Sequence, residues 1–203
     1  MKLFGPETDA SRPITDRVKE SLFSVLYKYD LFPPLSAVAD SKGGKMLADL
    51  FCGVGSLGLE ALSRGAEFVT FVEKDLNIIA TLKKNIEKAG FAGESKVVRA
   101  DAFKIGAPVD ERKYDLIFVD PPYSATRETK EGSPLSKLLV LLSEQSSLDG
   151  IVVVRTERRP APASPDASRG GGTELLEQYG RLKVIERRQW GTMAVTILQR
   201  SNE

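Results

Sequence analysis

MLADLFCGVGSLGLEALSRGA, residues 46–66, decides the fold. A short apolar strand, Met46 to Phe51, runs into a cluster of glycines, and a helical pattern from Ser56 to Arg64 follows, ended by Gly65. Gly53, Gly55 and Gly58 satisfy G-x-G-x-x-G between that strand and that helix. Glycines at such a junction let the backbone turn tightly and approach a ligand closely. Alone, the pattern is a weak dinucleotide fingerprint, and a nicotinamide-dependent oxidoreductase is one reading of it.

Outward from this junction the strand-then-helix rhythm repeats. FVTFVE (68–73) is a second strand, and Asp75 starts a helix with Leu76, Ile79, Leu82 and Ile86 inward, ended by Gly90. KVVRA (96–100), YDLIFVD (114–120) and GIVVVRT (150–156) are further strands, with a helix over 133–145. RLKVIERR (181–188) and TMAVTILQ (192–199) read as an antiparallel pair joined at Trp190-Gly191. Continuous Val/Ile/Leu runs alternating with helices predict an α/β fold, with a mostly parallel seven-stranded sheet covered by helices on both faces. Upstream, Thr15 can cap a helix that puts Val18, Leu22, Val25 and Leu26 on one face. Residues 1–45 are expected to be an arm and helix packed on the core, and residues 46–203 the main domain. The tract RRPAPASPDASRGGG, 158–172, has the composition of a mobile loop, either a tolerated insertion or a lid.

The 203 residues carry 29 Lys+Arg against 28 Asp+Glu, a net charge of +1 that neither requires nor excludes a nucleic-acid partner. A single Cys excludes internal disulfides and multi-Cys metal sites. No apolar stretch approaches the ~20 residues of a membrane span, and a cytoplasmic protein is expected. The chain has no histidine. That removes Ser-His and Cys-His nucleophilic pairs, His-based zinc sites and the commonest general base. No metal is expected. Cys52, lacking a His partner, reads as a small buried residue beside the glycine loop.

The acids are more informative. Asp49, Glu73, Asp101 and Asp120 each fall at the carboxyl end of a successive strand, the edge where such sheets bind ligands. Asp49 would repel a pyrophosphate and attract an ammonium group; Glu73 can pair with two ribose hydroxyls. A cationic cofactor with an amino group, a ribose and an adenine suits this edge, and S-adenosylmethionine is such a molecule. The stretch IFVDPPYS, 117–124, adds the second substrate. An exocyclic amine on a nucleobase is a poor nucleophile because its lone pair is delocalised into the ring. The Asp120 carboxylate and the Pro121 carbonyl can accept from its two N–H groups and aim the lone pair. Pro121 and Pro122 stiffen that backbone, and Tyr123 offers a face for a base, worth ~1–3 kcal/mol.

DLFCGVGSLGLEALSRGA, VEKD (72–75) and VDPPY resemble the amino-directed, Rossmann-like methyltransferases. RPITDRVKESLFSVL (12–26) and the W-G-x-x-x-V-x-I segment (190–197) are more particular. They resemble the RsmD family, bacterial enzymes that methylate guanine N2 in 16S ribosomal RNA. The resemblance spans about residues 12–199 and implies roles. Asp49, Gly53 and Gly55 would hold the methionine end of S-adenosylmethionine, Glu73 the ribose, and Asp101 and Ala102 the adenine. Asp120, Pro121 and Tyr123 would handle the amine. Arg12, Thr15, Arg17 and Pro122 would lie near the substrate. The implied partner is ribosomal RNA, in the small subunit or its assembly particle; a monomer is expected. Arg127, Lys130, Arg158, Arg159, Arg187 and Arg188 are candidate phosphate contacts. Adenine-N6 methylation of DNA or RNA, and a non-catalytic RNA-binding role, are the alternatives.

Overall fold

A computed structural model describes residues 3–5, 14–32, 44–157 and 174–201. The chain enters through helix α1 (Asp16–Leu26) and a single 3-10 turn. Five parallel strands follow: β1 (Met46–Leu50), β2 (Phe68–Glu73), β3 (Ser95–Arg99), β4 (Tyr114–Val119) and β5 (Ser146–Glu157). They are connected through α2 (Ser56–Ser63), α3 (Leu76–Ala89), the one-turn α4 (Ala102–Ile105) and α5 (Pro134–Gln145). The strands β6 (Gln178–Tyr179), β7 (Leu182–Trp190) and β8 (Met193–Arg200) complete the sheet in antiparallel fashion. The order is β3-β2-β1-β4-β5-β8-β7-β6. The expected hairpin therefore forms, with Trp190 pairing Met193. The sheet has eight strands rather than seven; the extra one, β6, is two residues long and carries no readable period.

The strand order reverses between β1 and β4, with β2 and β3 laid down on one side and β5 on the other, so the loops after β1 and β4 part and leave a crevice at their carboxyl ends. Alternation along each strand sorts the core into two layers. Leu47, Phe71, Phe118 and Val153 pack with α1, α2 and α3 on one face. Leu50, Val72, Val119 and Val154 pack with α4 and α5 on the other. Phe23 of α1 meets the rings of Phe32 and Phe118 at 5.4 and 5.8 Å, and the Arg64 guanidinium sits 4.8 Å over its face.

Local chemistry sets the boundaries. The Asp75 carboxylate accepts from the backbone N–H groups of Asn77 and Ile78, capping α3, and Gly90 ends it at φ 78. Leu76 does not face inward: it is 56% exposed, at the first helical position, past the stripe that Ile79, Leu82 and Ile86 bury. Thr15 takes the N-cap position of α1, but its side chain makes no capping hydrogen bond. β5 begins at Ser146 rather than at Gly150; the register against β4 shifts between Tyr114 and Leu116, and Asp149 adopts φ 60. This irregularity hides the strand's first residues from an apolar-run search.

Gly58 is fixed by packing. A Cβ there would lie 2.3 Å from Cε1 of Phe71, so α2 rides directly on the sheet. Gly58→Ala is expected to destabilise the fold by about 1–3 kcal/mol through overpacking, outweighing alanine's ~1 kcal/mol helix advantage. Urea unfolding measures it; an unchanged or raised midpoint would show that Phe71 yields freely.

Candidate active site

Side-chain parity carries the site. Asp49, Glu73, Asp120 and Arg155 are each two residues beyond a residue of the first core layer: Leu47, Phe71, Phe118 and Val153. All four therefore leave the sheet toward the same side at its carboxyl edge, and they line one cleft of about 750 Å³. Asp101, Ala102, Pro121, Pro122 and Tyr123 line it too. The expected acids thus share one cavity.

Asp49 is buried, and its Oδ2 accepts from the backbone N–H of Gly58 at 2.8 Å. That N–H is one of the orphan donors of the first turn of α2. Burial pushes the Asp49 carboxyl up to about 7; the Gly58 hydrogen bond opposes this, and the charges of Asp120 and Glu73 add to it. An ammonium group entering the cleft would meet a carboxylate short of compensation. Glu73 works as a local frame. Its Oε2 accepts from Gly53 N–H at 3.2 Å, and its Oε1 accepts from Lys74 and Asp75 N–H at 2.8 and 3.0 Å. One carboxylate thereby locks the glycine loop to the turn after β2. Asp101 lies beyond the end of β3, not within it, and caps α4 by accepting from Phe103 N–H at 3.1 Å.

Gly53 has φ 54 and nothing within 4 Å of the position a Cβ would take, so a ligand can come against its backbone. Gly55 does not line the cleft; it shapes the loop from behind, with φ 88 and a Leu82 side chain that would lie 2.5 Å from any Cβ there. Phe51 lines the cleft at φ 58, an uncommon conformation for a bulky residue, and its ring packs on Phe103 at 4.7 Å. Cys52 is buried, and burial with the charges of Asp49 and Glu73 pushes its thiol up, away from nucleophilic reactivity.

On the far side, Asp120 follows β4 directly. Burial pushes its carboxyl up to about 6, while Arg155 pulls the other way. Arg155 Nε lies 2.5 Å from Asp120 Oδ1, and its guanidinium sits 5.9 Å from the Tyr123 ring centroid. Tyr123 opens a short 3-10 turn to Thr126. Sequence reasoning missed Arg155, Phe51 and Ile14, which reaches the cleft from just before α1. Thr15 and Arg17 are exposed and do not line the cleft. Arg12, Arg158, Arg159 and the 158–172 tract lie outside the described residues. Arg187 is engaged by Glu174, Glu177 and the Leu175 carbonyl, and Arg188 by Glu186, so both are committed within the fold. Lys130 pairs with Glu128. Among the described residues no group of three or more His, Cys, Asp or Glu is placed to hold a metal, and no helix is long and apolar enough to cross a membrane.

The model of the family described as conserved hypothetical protein 95, the RsmD family, matches residues 1–199. The chain belongs to this family. The Bacillus subtilis protein named "Putative rRNA methyltransferase YlbH" is 34% identical over 195 residues, 94% of this chain and 89% of that protein. The ribosomal RNA small subunit methyltransferase D of Escherichia coli K12 is 36% identical over 126 residues, 60% of this chain and 54% of that one. That match takes in only about half of the E. coli enzyme. Among solved structures, the E. coli protein titled "Putative methyltransferase yhhF" superposes with a TM-score of 0.66 at 27% identity, over 98% of this chain and 92% of that chain. The fold is the Rossmann-like methyltransferase fold, as the family resemblance implies. The family match embraces both the carboxylate rim and the Asp120–Tyr123 corner, and it leaves no ground for the oxidoreductase reading of the glycine loop.

Proposed function

We propose that this protein transfers the methyl group of S-adenosylmethionine to the exocyclic N2 amine of a guanine in small-subunit ribosomal RNA, in the subunit or its assembly particle. The observation that carries it is the meeting, in one cleft, of a carboxylate rim suited to a cationic nucleoside with a rigid Asp-Pro-Pro-Tyr corner suited to a flat amine. The donor set fits the cofactor: Asp49 for the ammonium, Gly53 for close backbone approach, Glu73 for ribose hydroxyls, Asp101 and Ala102 for the adenine edge. When bound, the cofactor supplies an electrophilic sulfonium methyl that needs no metal.

The rest is done by this chain's own groups. Asp120 and the Pro121 carbonyl accept from the amine's N–H groups and fix its lone pair toward the cofactor half of the cleft. Such alignment can supply ~7–11 kcal/mol of a barrier. Tyr123 stacks on a base swung out of its helix. Asp120, at about 6 a better base than an ordinary aspartate, takes the proton that the amine sheds as its bond to carbon forms. With a ribosomal substrate the protein would work in the cytoplasm, and the names of its small-subunit relatives support that substrate.

The test is methylation of whole small subunits and of naked ribosomal RNA from a strain lacking this gene, using tritiated cofactor and nucleoside analysis. N2-methylguanosine is expected. N6-methyladenosine as the sole product would move the target to adenine, and no incorporation into either substrate would favour a non-catalytic binding role.

A further inference from the structure

Arg155 stands on the buried-layer face of β5, in register with Ile151 and Val153, where an apolar residue would ordinarily sit. Its Nε lies 2.5 Å from Asp120 Oδ1, and the two side chains are only 11% and 18% exposed. Oδ1 is itself sealed from solvent. The pair crosses from β5 to the end of β4, beside Tyr123.

We propose that Arg155 is a positioning residue: it ties down Oδ1 of Asp120, holds that carboxylate ionised, and leaves Oδ2 to accept from the target amine. The inference rests on the reading of Asp120 as the amine's acceptor. Its logic is electrostatic. Asp120 shares its cleft with Asp49 from β1, Glu73 from β2, Glu157 from β5 and Asp101 beyond β3. Burial among these acids favours the neutral carboxyl, and a neutral carboxyl offers the amine a donor where it needs an acceptor. Arg155 is the opposing influence on Asp120. A guanidinium also does what a buried ammonium does poorly: it stays charged, and its rigid plane holds Nε against the one oxygen it meets, Oδ1.

The experiment follows the Asp120 carboxylate directly. Aspartate-labelled protein is titrated by carbon NMR as wild type, Arg155→Met and Arg155→Lys, with Asp120→Asn assigning the resonance. In Arg155→Met the Asp120 midpoint is expected to rise by at least about one pH unit, because an opposite charge at this range shifts a carboxyl by ~1–3. The acid limb of single-turnover methylation, measured at saturating S-adenosylmethionine, rises with it. Arg155→Lys keeps the midpoint near the wild-type value but lowers the rate, since charge survives and the rigid plane that holds Oδ1 does not. Should Arg155→Met not fold, Arg155→Gln is the second neutral variant. An unmoved Asp120 midpoint in the neutral variant overturns the inference. If Asp120→Ala retains full methylation, the acceptor reading itself falls; if Asp120→Ala is inactive and the midpoint is unmoved, only the role of Arg155 falls.

Discussion

Replacing Asp120 by Ala is expected to lower methyl transfer by about 10²–10⁴-fold while S-adenosylmethionine still binds. The two halves of this expectation come from the division of the cleft. Asp49, Glu73 and Asp101 are supplied by β1, β2 and the turn beyond β3, and each is framed by backbone N–H groups independent of Asp120. Asp120 lies at the β4 end with Pro121 and Tyr123. On the proposed role, its removal takes away the acceptor and base for the amine and leaves the cofactor half standing. Asp120→Asn is expected to be nearly as poor, because its amide presents N–H groups to an amine that also donates. The wild-type rate should fall as pH drops through about 6, the value to which burial pushes this carboxyl, since the protonated form can no longer accept. Single-turnover rates and a cofactor titration on the same preparation measure both halves. Turnover surviving in Asp120→Ala would remove the proposed role.

Asp49→Asn is expected to have an opposite pair of effects: cofactor affinity collapses and the free protein becomes more stable. Asp49 is 1% exposed and is pushed up to about 7. Above its unfolded value of 3.8 the unfolded chain has released this proton, whereas the folded chain keeps it until about 7. The folded state therefore binds more protons in that window, and stability declines as pH rises through it. Asparagine removes the buried charge and can still accept from Gly58 N–H. It should stabilise the ligand-free protein by on the order of 1–4 kcal/mol at about pH 8. Losing the partner of a buried ammonium costs about 2–5 kcal/mol, roughly 30- to several-thousand-fold in affinity. Thermal melts and equilibrium dialysis with labelled cofactor read the two effects. A destabilised Asp49→Asn that binds normally would mean that this carboxylate is structural.

Much of this was legible in residue order, and the reasons are physical. Parallel strands buried on both faces must be continuous Val/Ile/Leu runs, so β1, β2, β4 and β5 stand out as sequence. Glycines at 53 and 58 are forced by a left-handed turn and by the Phe71 ring. The same continuity concealed Arg155. A strand that is apolar at Ile151, Val152, Val153 and Val154 has no alternation to say which face the next residue takes. Only the register with β4 shows that Arg155 turns toward Asp120. Phe51 was hidden differently: its positive φ is imposed by the glycine loop it enters, and nothing in its residue type announces it. The basic residues near the end of the chain looked free because sequence separates them from their partners. Arg187 is held by Glu174 and Glu177, brought close only by the fold.

The most direct measurement is calorimetric titration of the wild-type protein with S-adenosylmethionine, and separately with NAD. A single S-adenosylmethionine site is predicted, several-fold weaker at about pH 6 than at about pH 7.5, because Asp49 must give up its proton to receive an ammonium. Heat with NAD and none with S-adenosylmethionine, or binding that strengthens as pH falls across this range, would contradict a cleft built to hold a cationic methyl donor.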